Sequence, residues 1–352
     1  MYRVNLIFLF TTVVLGTNIV IFSQKWFVIW VGLELRTLAL VPILISNFSP
    51  RKVEATIKYF LIQALRAALL LKRALIQAWL TGSWSVDTPL KDFSFILMAI
   101  ALAFKLGLAP CHFWFPDVLQ GLPFLQGLIV ASWQKIAPLI IFFCISQLSF
   151  SYLIITIALI STLIGGWGGL NQTQTRKILA FSSIGKMGWI VLTSVYSLNA
   201  AVIMMLVYLT ITTSIFMIFN LLNISTLGHL NSATRMSPIR ALIIVLSILS
   251  LGGLPPLAGF TIKFYSLLSL INRGFILFSI VLIVSSLLSL FFYLRISFKA
   301  RLILFPQHIM NITSWRNSRS IASLSLETWF ISTLFVIGAF STPIILSLHM
   351  TL

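Results

Sequence analysis

Four charged residues stand in stretches otherwise built for hydrocarbon. Glu34 lies in VIWVGLELRTLALVPIL, Lys105 in ILMAIALAFKLGLAP, Lys135 in GLIVASWQKIAPLI and Lys263 in PPLAGFTIKFYSLLSL. A charge at mid-membrane depth costs about 2.5–3.5 kcal/mol on insertion scales, so each must face protein or a hydrated cavity rather than lipid. The chemistry open to such a set is proton relay. Desolvation penalises the charged forms of lysine and glutamate alike, which brings proton exchange within reach near neutral pH. Two unit charges about 4 Å apart interact by roughly 4 kcal/mol at an effective dielectric of about 20, so a moving glutamate can switch a lysine's hold on its proton. The alternative for Lys105 and Lys263 is that they sit near helix ends and snorkel to the interface.

Two of these lysines adjoin sequences that cannot continue a helix. SLGGLPPLAGFTIKF places Gly252, Gly253, Pro255, Pro256 and Gly259 just ahead of Lys263, and KLGLAPCHFWFPDVLQGLP places Gly107, Pro110 and Pro116 just after Lys105. Proline lacks the amide donor and clashes with the preceding turn. Broken backbone at membrane depth is tolerated only beside protein or water, and it marks ion and substrate sites in several carriers. His112, two residues past Pro110, is a possible further relay member because imidazole exchanges protons near neutral pH. Lys186, in AFSSIGKMGW, is another. For either one, a hydrogen-bonded structural role is the competing reading.

The elements that must position these residues are transmembrane helices. Of 352 residues, 59% are hydrophobic and 9% charged, against roughly 45–50% and about 25% in soluble domains. A water-soluble globule is excluded. Runs of about 20 apolar residues span the roughly 30 Å hydrocarbon core as helices. The hydropathy pattern predicts about eleven, near 4–22, 26–47, 56–80, 92–109, 121–146, 150–170, 177–196, 198–223, 240–267, 275–297 and 325–348, in one polytopic domain covering 1–352. The first is read as a true span rather than a signal peptide, since it is longer than a usual apolar signal region and no A-x-A site follows. The pairs Gly165-Gly166 and Gly168-Gly169 predict close helix approach.

A net charge of +18 would suggest nucleic acid in a soluble protein, but these cations are spread through short loops. Alternate loops carry Arg3, Arg51, Lys52, Arg176, Lys177, Arg235, Arg240, Lys299, Arg301, Arg316 and Arg319 on one side, and only Lys25, Lys91 and Arg273 on the other. The positive-inside rule then places the N-terminus inside and the C-terminus outside. No nucleic-acid partner is expected; lipid, cardiolipin included, and acidic neighbouring subunits are. Cys111, Cys144 and the scattered histidines 112, 229, 308 and 349 lack the spacing for a zinc site or thiolate cluster of about four ligands. No cofactor or metal site is expected in this chain.

The segments VGLELRTLALVPIL, VEATIKYFLIQA, KLGLAPCHFWFPDVLQGL, GGLNQTQTRKILAFSSIGKMGW and LGGLPPLAGFTIKF resemble the chain 2 family of animal mitochondrial NADH:ubiquinone oxidoreductase. That family is similar to cation/proton antiporters and forms part of the membrane arm of respiratory complex I. The resemblance implies an all-α integral membrane protein, an antiporter-like bundle with two broken helices. It implies a proton-translocating subunit of the mitochondrial inner membrane, with other membrane and accessory subunits as partners. NAD, FMN, iron–sulfur clusters and ubiquinone would belong to the wider complex. By position, Glu34 would pair with Lys105, Lys135 would be the central channel lysine, and Lys263 would lead toward the outer exit. A stand-alone cation/proton antiporter and a purely structural membrane subunit are the competing functions. The antiporter would want an intramembrane aspartate, and Asp87, Asp92 and Asp117 are not mid-span.

The sequence departs from this family at Lys186, where histidine is usual. It departs again at Arg36, Arg66, Lys72 and Arg73, where small or uncharged residues are usual. Two expectations follow for these four positions. Either they form a basic cluster that meets an acidic subunit or lipid, or a mitochondrial code reading AGA and AGG as serine and AAA as asparagine makes some of them neutral.

Overall fold

The computed structural model describes residues 2–46, 48–86, 92–146, 151–230, 238–255, 257–301 and 321–340. Pro256, one of the residues read as a helix breaker, lies outside them, as do the loop cations Lys91, Arg235, Arg316 and Arg319 and the histidines 308 and 349. The described residues form helices and no sheet; isolated bridges join Lys25 to Ser85 and Gln174 to Thr226. The chain divides into two compact units, 1–161 and 162–352.

The first unit contains α1 (Tyr2–Phe22), α2 (Trp26–Ile45), α3 (Pro50–Thr81), α4 (Asp92–Leu106), α5 (Trp114–Gly121), α6 (Phe124–Ala131) and α7 (Trp133–Ser146). Its boundaries follow local chemistry. Pro50 opens α3 at a position where an amide would have no intrahelical partner anyway. Gly82 closes it at φ 67°, its N–H donating to the Ala78 carbonyl at 2.9 Å. α1 and α2 meet at glycines: a Cβ on Gly16 would lie 2.9 Å from the Gly32 carbonyl oxygen.

The division falls within α8 (Ser151–Leu170). The second unit continues with α9 (Thr175–Tyr196), α10 (Leu198–Leu221), α11 (Pro238–Gly252), α12 (Ala258–Ile271), α13 (Ile276–Arg301) and α14 (Ile321–Ala339). A 3₁₀ turn, Leu227–His229, lies between α10 and α11. Here α8 and α9 cross backbone to backbone, since a Cβ on Gly165 would come 2.5 Å from the Gly185 nitrogen. In lipid, where apolar burial gives no net drive, such close approach is a main source of helix association. Gly165→Ala should therefore destabilise the second unit by about 1–3 kcal/mol, the usual penalty of overpacking, read as a lower yield of folded chain on a native gel.

Each predicted span falls on one helix or on two helices end to end, the last as far as residue 340. Among the described residues, seven stretches are long and apolar enough to cross a membrane: Val4–Phe22, Trp26–Ile45, Phe124–Ser146, Tyr152–Leu170, Thr175–Tyr196, Leu198–Leu221 and Ile276–Ala300. The difference from eleven has physical causes. α3 is 32 residues long but carries Arg66, Lys72 and Arg73, while Phe93–Leu106, Leu242–Gly252 and Ala258–Ile271 are apolar but short, two of them because the 240–267 span is broken; the last predicted span, 325–348, lies within the described residues only as far as 340. Large apolar side chains cover the outward faces of α1 and α13, Phe8 at 65% and Leu277 at 71% exposed among them, as lipid contact requires.

Candidate functional site: buried charges at broken helices

Both sequence-read breaks are present, and each begins with a glycine of positive φ after a helix end. Gly107 follows α4 at 71° and Gly253 follows α11 at 80°, the left-handed closure that glycine adopts without Cβ strain. Pro110 and Pro255 lie within the breaks. Pro116 has a different place: it is in the first turn of α5, where its missing N–H leaves nothing unmade, so it starts a helix rather than interrupting one.

At the second break, two lysines take the carbonyls that α11 leaves without helical partners. Lys263, 8% exposed on α12, donates from Nζ to the Gly252 oxygen at 2.8 Å. Lys186, from α9, donates to the adjacent Leu251 oxygen. The last carbonyls of a helix have no intrahelical donor and carry the negative end of its dipole, so a cation is favoured there. The Lys263 stem packs on the break itself, with Cδ and Nζ each 3.1 Å from where a Gly253 Cβ would stand. Its ammonium is also 5.9 Å from the Trp189 ring centre.

The first break is arranged differently. The orphan Phe104 carbonyl accepts from the Trp114 indole Nε1 at 3.0 Å. Lys105, 4% exposed, is left with no hydrogen-bond partner for Nζ, and the charged groups acting on it are Arg66, Arg36 and Glu34. Glu34 lies nearest Arg66, Oε2 to Nη2 at 3.9 Å, an ion pair too long for a hydrogen bond. Among the described residues no Glu34–Lys105 pair comes within 4.0 Å. His112 sits in the same break, buried, its ring bonded to the Pro110 backbone while Nδ1 has no partner.

Lys135 is 1% exposed in the first turn of α7, with Nζ 4.3 Å from the Phe115 ring centre. The span that holds it is itself interrupted, at Ser132 between α6 and α7. Sequence reasoning missed this, and the available signal was weak, because no glycine or proline marks Ser132. A stronger signal was passed over at Pro138. Its lack of an N–H frees the Gln134 carbonyl four residues back, and Arg36 donates to that oxygen from Nη2 at 3.1 Å. Arg73 stacks on the Trp26 ring at 3.7 Å. Arg36, Arg66 and Arg73 are each 0% exposed, whereas Lys72 is exposed.

Among the described residues, no group of three or more His, Cys, Asp or Glu could hold a metal ion. Buried lysines at helix breaks, one carboxylate, and helices of membrane length define the class: a helical membrane protein of antiporter type. Comparison with known proteins narrows this. The profile of the NADH:quinone oxidoreductase/Mrp antiporter transmembrane family matches residues 23–289, and that of the NADH dehydrogenase subunit 2 C-terminus matches 290–346. The chain belongs to the first of these families. It is 61% identical over 349 residues to the NADH-ubiquinone oxidoreductase chain 2 of Paracentrotus lividus, covering 99% of each chain. To that of Strongylocentrotus purpuratus it is 62% identical over 342 residues, covering 97% of each. Among solved structures, a chain of respiratory complex I from Thermus thermophilus superposes with a TM-score of 0.80 at 25% identity, over 95% of this chain and 78% of that one.

Proposed function

We propose that this chain is a core membrane-arm subunit of mitochondrial respiratory complex I that moves protons. NADH oxidation and ubiquinone reduction take place in other subunits, which hold the NAD, FMN and iron–sulfur clusters. The observation that carries the reading is Lys263 bound to the Gly252 carbonyl at the end of a broken helix. A lysine set there is buried and still solvated by a backbone dipole, so it can be loaded and unloaded with a proton.

In this reading Glu34 and Lys105 receive the signal from the redox arm, Lys135 carries the proton centrally, and Lys263 releases it toward the outer side. Lys186 and His112 are the accessory members. The whole chain, 1–352, works as one polytopic domain of the inner membrane, N-terminus in the matrix and C-terminus in the intermembrane space. Its partners are the other complex I membrane and accessory subunits, with cardiolipin among its lipids.

The test is a native gel of mild-detergent membranes, probed for this chain and stained for NADH-dependent dye reduction. The chain is expected in a very large band that also oxidises NADH. Migration alone or as a small oligomer, away from that activity, would turn the reading to a stand-alone antiporter.

A further inference from the structure

In the second unit α8 and α13 meet at glycines. A Cβ on Gly166 would lie 3.0 Å from the Ser285 carbonyl oxygen, and one on Gly169 would lie 2.8 Å from the Phe292 ring. α8 then stops at Leu170, while α13 runs on to Arg301. Beside this contact a groove of about 700 Å³ opens along α13, within the range of about 300–1,000 Å³ that holds small-molecule ligands. Its length is lined by Val284, Leu287, Leu288 and Phe291, which share one helical stripe, and its end by Leu170, Asn171 and Arg295.

The groove is apolar along its length and cationic at that end. Arg295 donates from Nη1 to the Leu170 carbonyl at 2.8 Å. A guanidinium has five N–H donors, and this bond takes one. Among the described residues no carboxylate lies within 4.0 Å of it. Residues 162–352 contain twelve Lys and Arg but one acidic side chain, Glu327. Four of the cations belong to the same side by sequence, Arg176 and Lys177 after α8, and Lys299 and Arg301 at the end of α13. A negative group to pair with Arg295 therefore comes from outside the second unit.

Length decides what kind of group this is. Val284 and Arg295 are eleven residues apart, about 16 Å at roughly 1.5 Å per residue. That matches one leaflet of a hydrocarbon core about 30 Å thick, whereas a neighbouring transmembrane helix would need the whole thickness. An acyl chain with an anionic headgroup at the Arg295 end fits both the length and the charge, and basic sites on the positive side of a membrane protein attract acidic lipid. We propose that this groove binds one anionic phospholipid, with an acyl chain along residues 284–291 and the phosphate on the Arg295 guanidinium beside Asn171. The site needs the chain only to span a membrane, so it stands apart from the proton-moving role argued above.

The test uses native membranes holding the assembled chain, fused with vesicles of phosphatidylglycerol that carries a photoreactive diazirine in one acyl chain. Phosphatidylcholine with the same chains is the neutral-headgroup control. After illumination, labelling of residues 284–291 is read by peptide mass spectrometry. Phosphatidylglycerol should label at least about fivefold more than phosphatidylcholine, the scale of one basic residue against anionic lipid. Arg295→Gln keeps an amide donor for the Leu170 carbonyl and should bring the two lipids level. Equal labelling in the unaltered chain means an ordinary lipid coat, and no labelling by either lipid means that a partner helix covers the face. A preference that survives Arg295→Gln means that another cation supplies it. Each of these three results overturns the inference. If Arg295→Gln does not accumulate, Leu287→Trp replaces it, since Leu287 is exposed and the indole fills the groove without crowding the core. Labelling at Phe291 that falls to the phosphatidylcholine level then supports the site, and an undiminished preference overturns it.

Discussion

Complex I assembled with Lys135→Ala is expected to keep NADH-dependent dye reduction and to lose proton pumping by at least about tenfold, the scale set by a missing proton-transfer group. Two parts of that expectation have separate grounds. Assembly should survive because alanine suits the interior of α7 and the substitution takes away a 1% exposed ammonium whose placement at membrane depth costs about 2.5–3.5 kcal/mol on insertion scales. Pumping should fail because alanine offers no site for a proton within that stretch of α7. On the proposed function, in which pumping is coupled to electron transfer in other subunits, quinone reduction should slow along with pumping. An assembled complex with unchanged pumping would mean the chain only holds the arm together.

Much of this arrangement is legible in local sequence, for reasons that are themselves local. Pro50 and Gly82 bracket α3. Gly107 and Gly253 end helices where a left-handed residue was needed, each with a lysine close by in sequence. What was not legible is long-range. Nothing near Lys186 indicates that it will bind a carbonyl 65 residues away, nor near Arg36 that it will reach one 98 residues away. Orphan carbonyls can be counted from glycine and proline positions, as Gln134 ahead of Pro138 illustrates, but only tertiary structure assigns the donor that fills each one.

Peptide mass spectrometry of residues 60–80 from the native protein is expected to find neutral residues at 66 and 73, in agreement with a mitochondrial reading of AGA and AGG as serine. The structural reason is a charge imbalance. Arg36, Arg66 and Arg73 are all 0% exposed. Two nitrogens of Arg36, two of Arg66 and three of Arg73 make no hydrogen bond. Glu34 is the one carboxylate within 4.0 Å of any of them among the described residues. Three buried guanidiniums at about 2.5–3.5 kcal/mol each, even on the lenient insertion scale, would consume most of the 5–15 kcal/mol that holds a typical domain together. One ion pair at 3.9 Å, one ring contact and two hydrogen bonds to carbonyls, Arg36 to Gln134 and Arg66 to Gln63, do not offset that. Serine at these sites would bond to its own helix at no such cost, as Thr37, Thr56 and Ser182 do in this chain. The change also bears on the proposed relay. The charged groups acting on Lys105 are Arg66, Arg36 and Glu34; with the first two neutral, Glu34 is the one that remains, and the proposed Glu34–Lys105 pairing has no competitor. Arginine recovered at 66 and 73 would end this account, and Glu34 would then be held by Arg66 rather than free to answer Lys105.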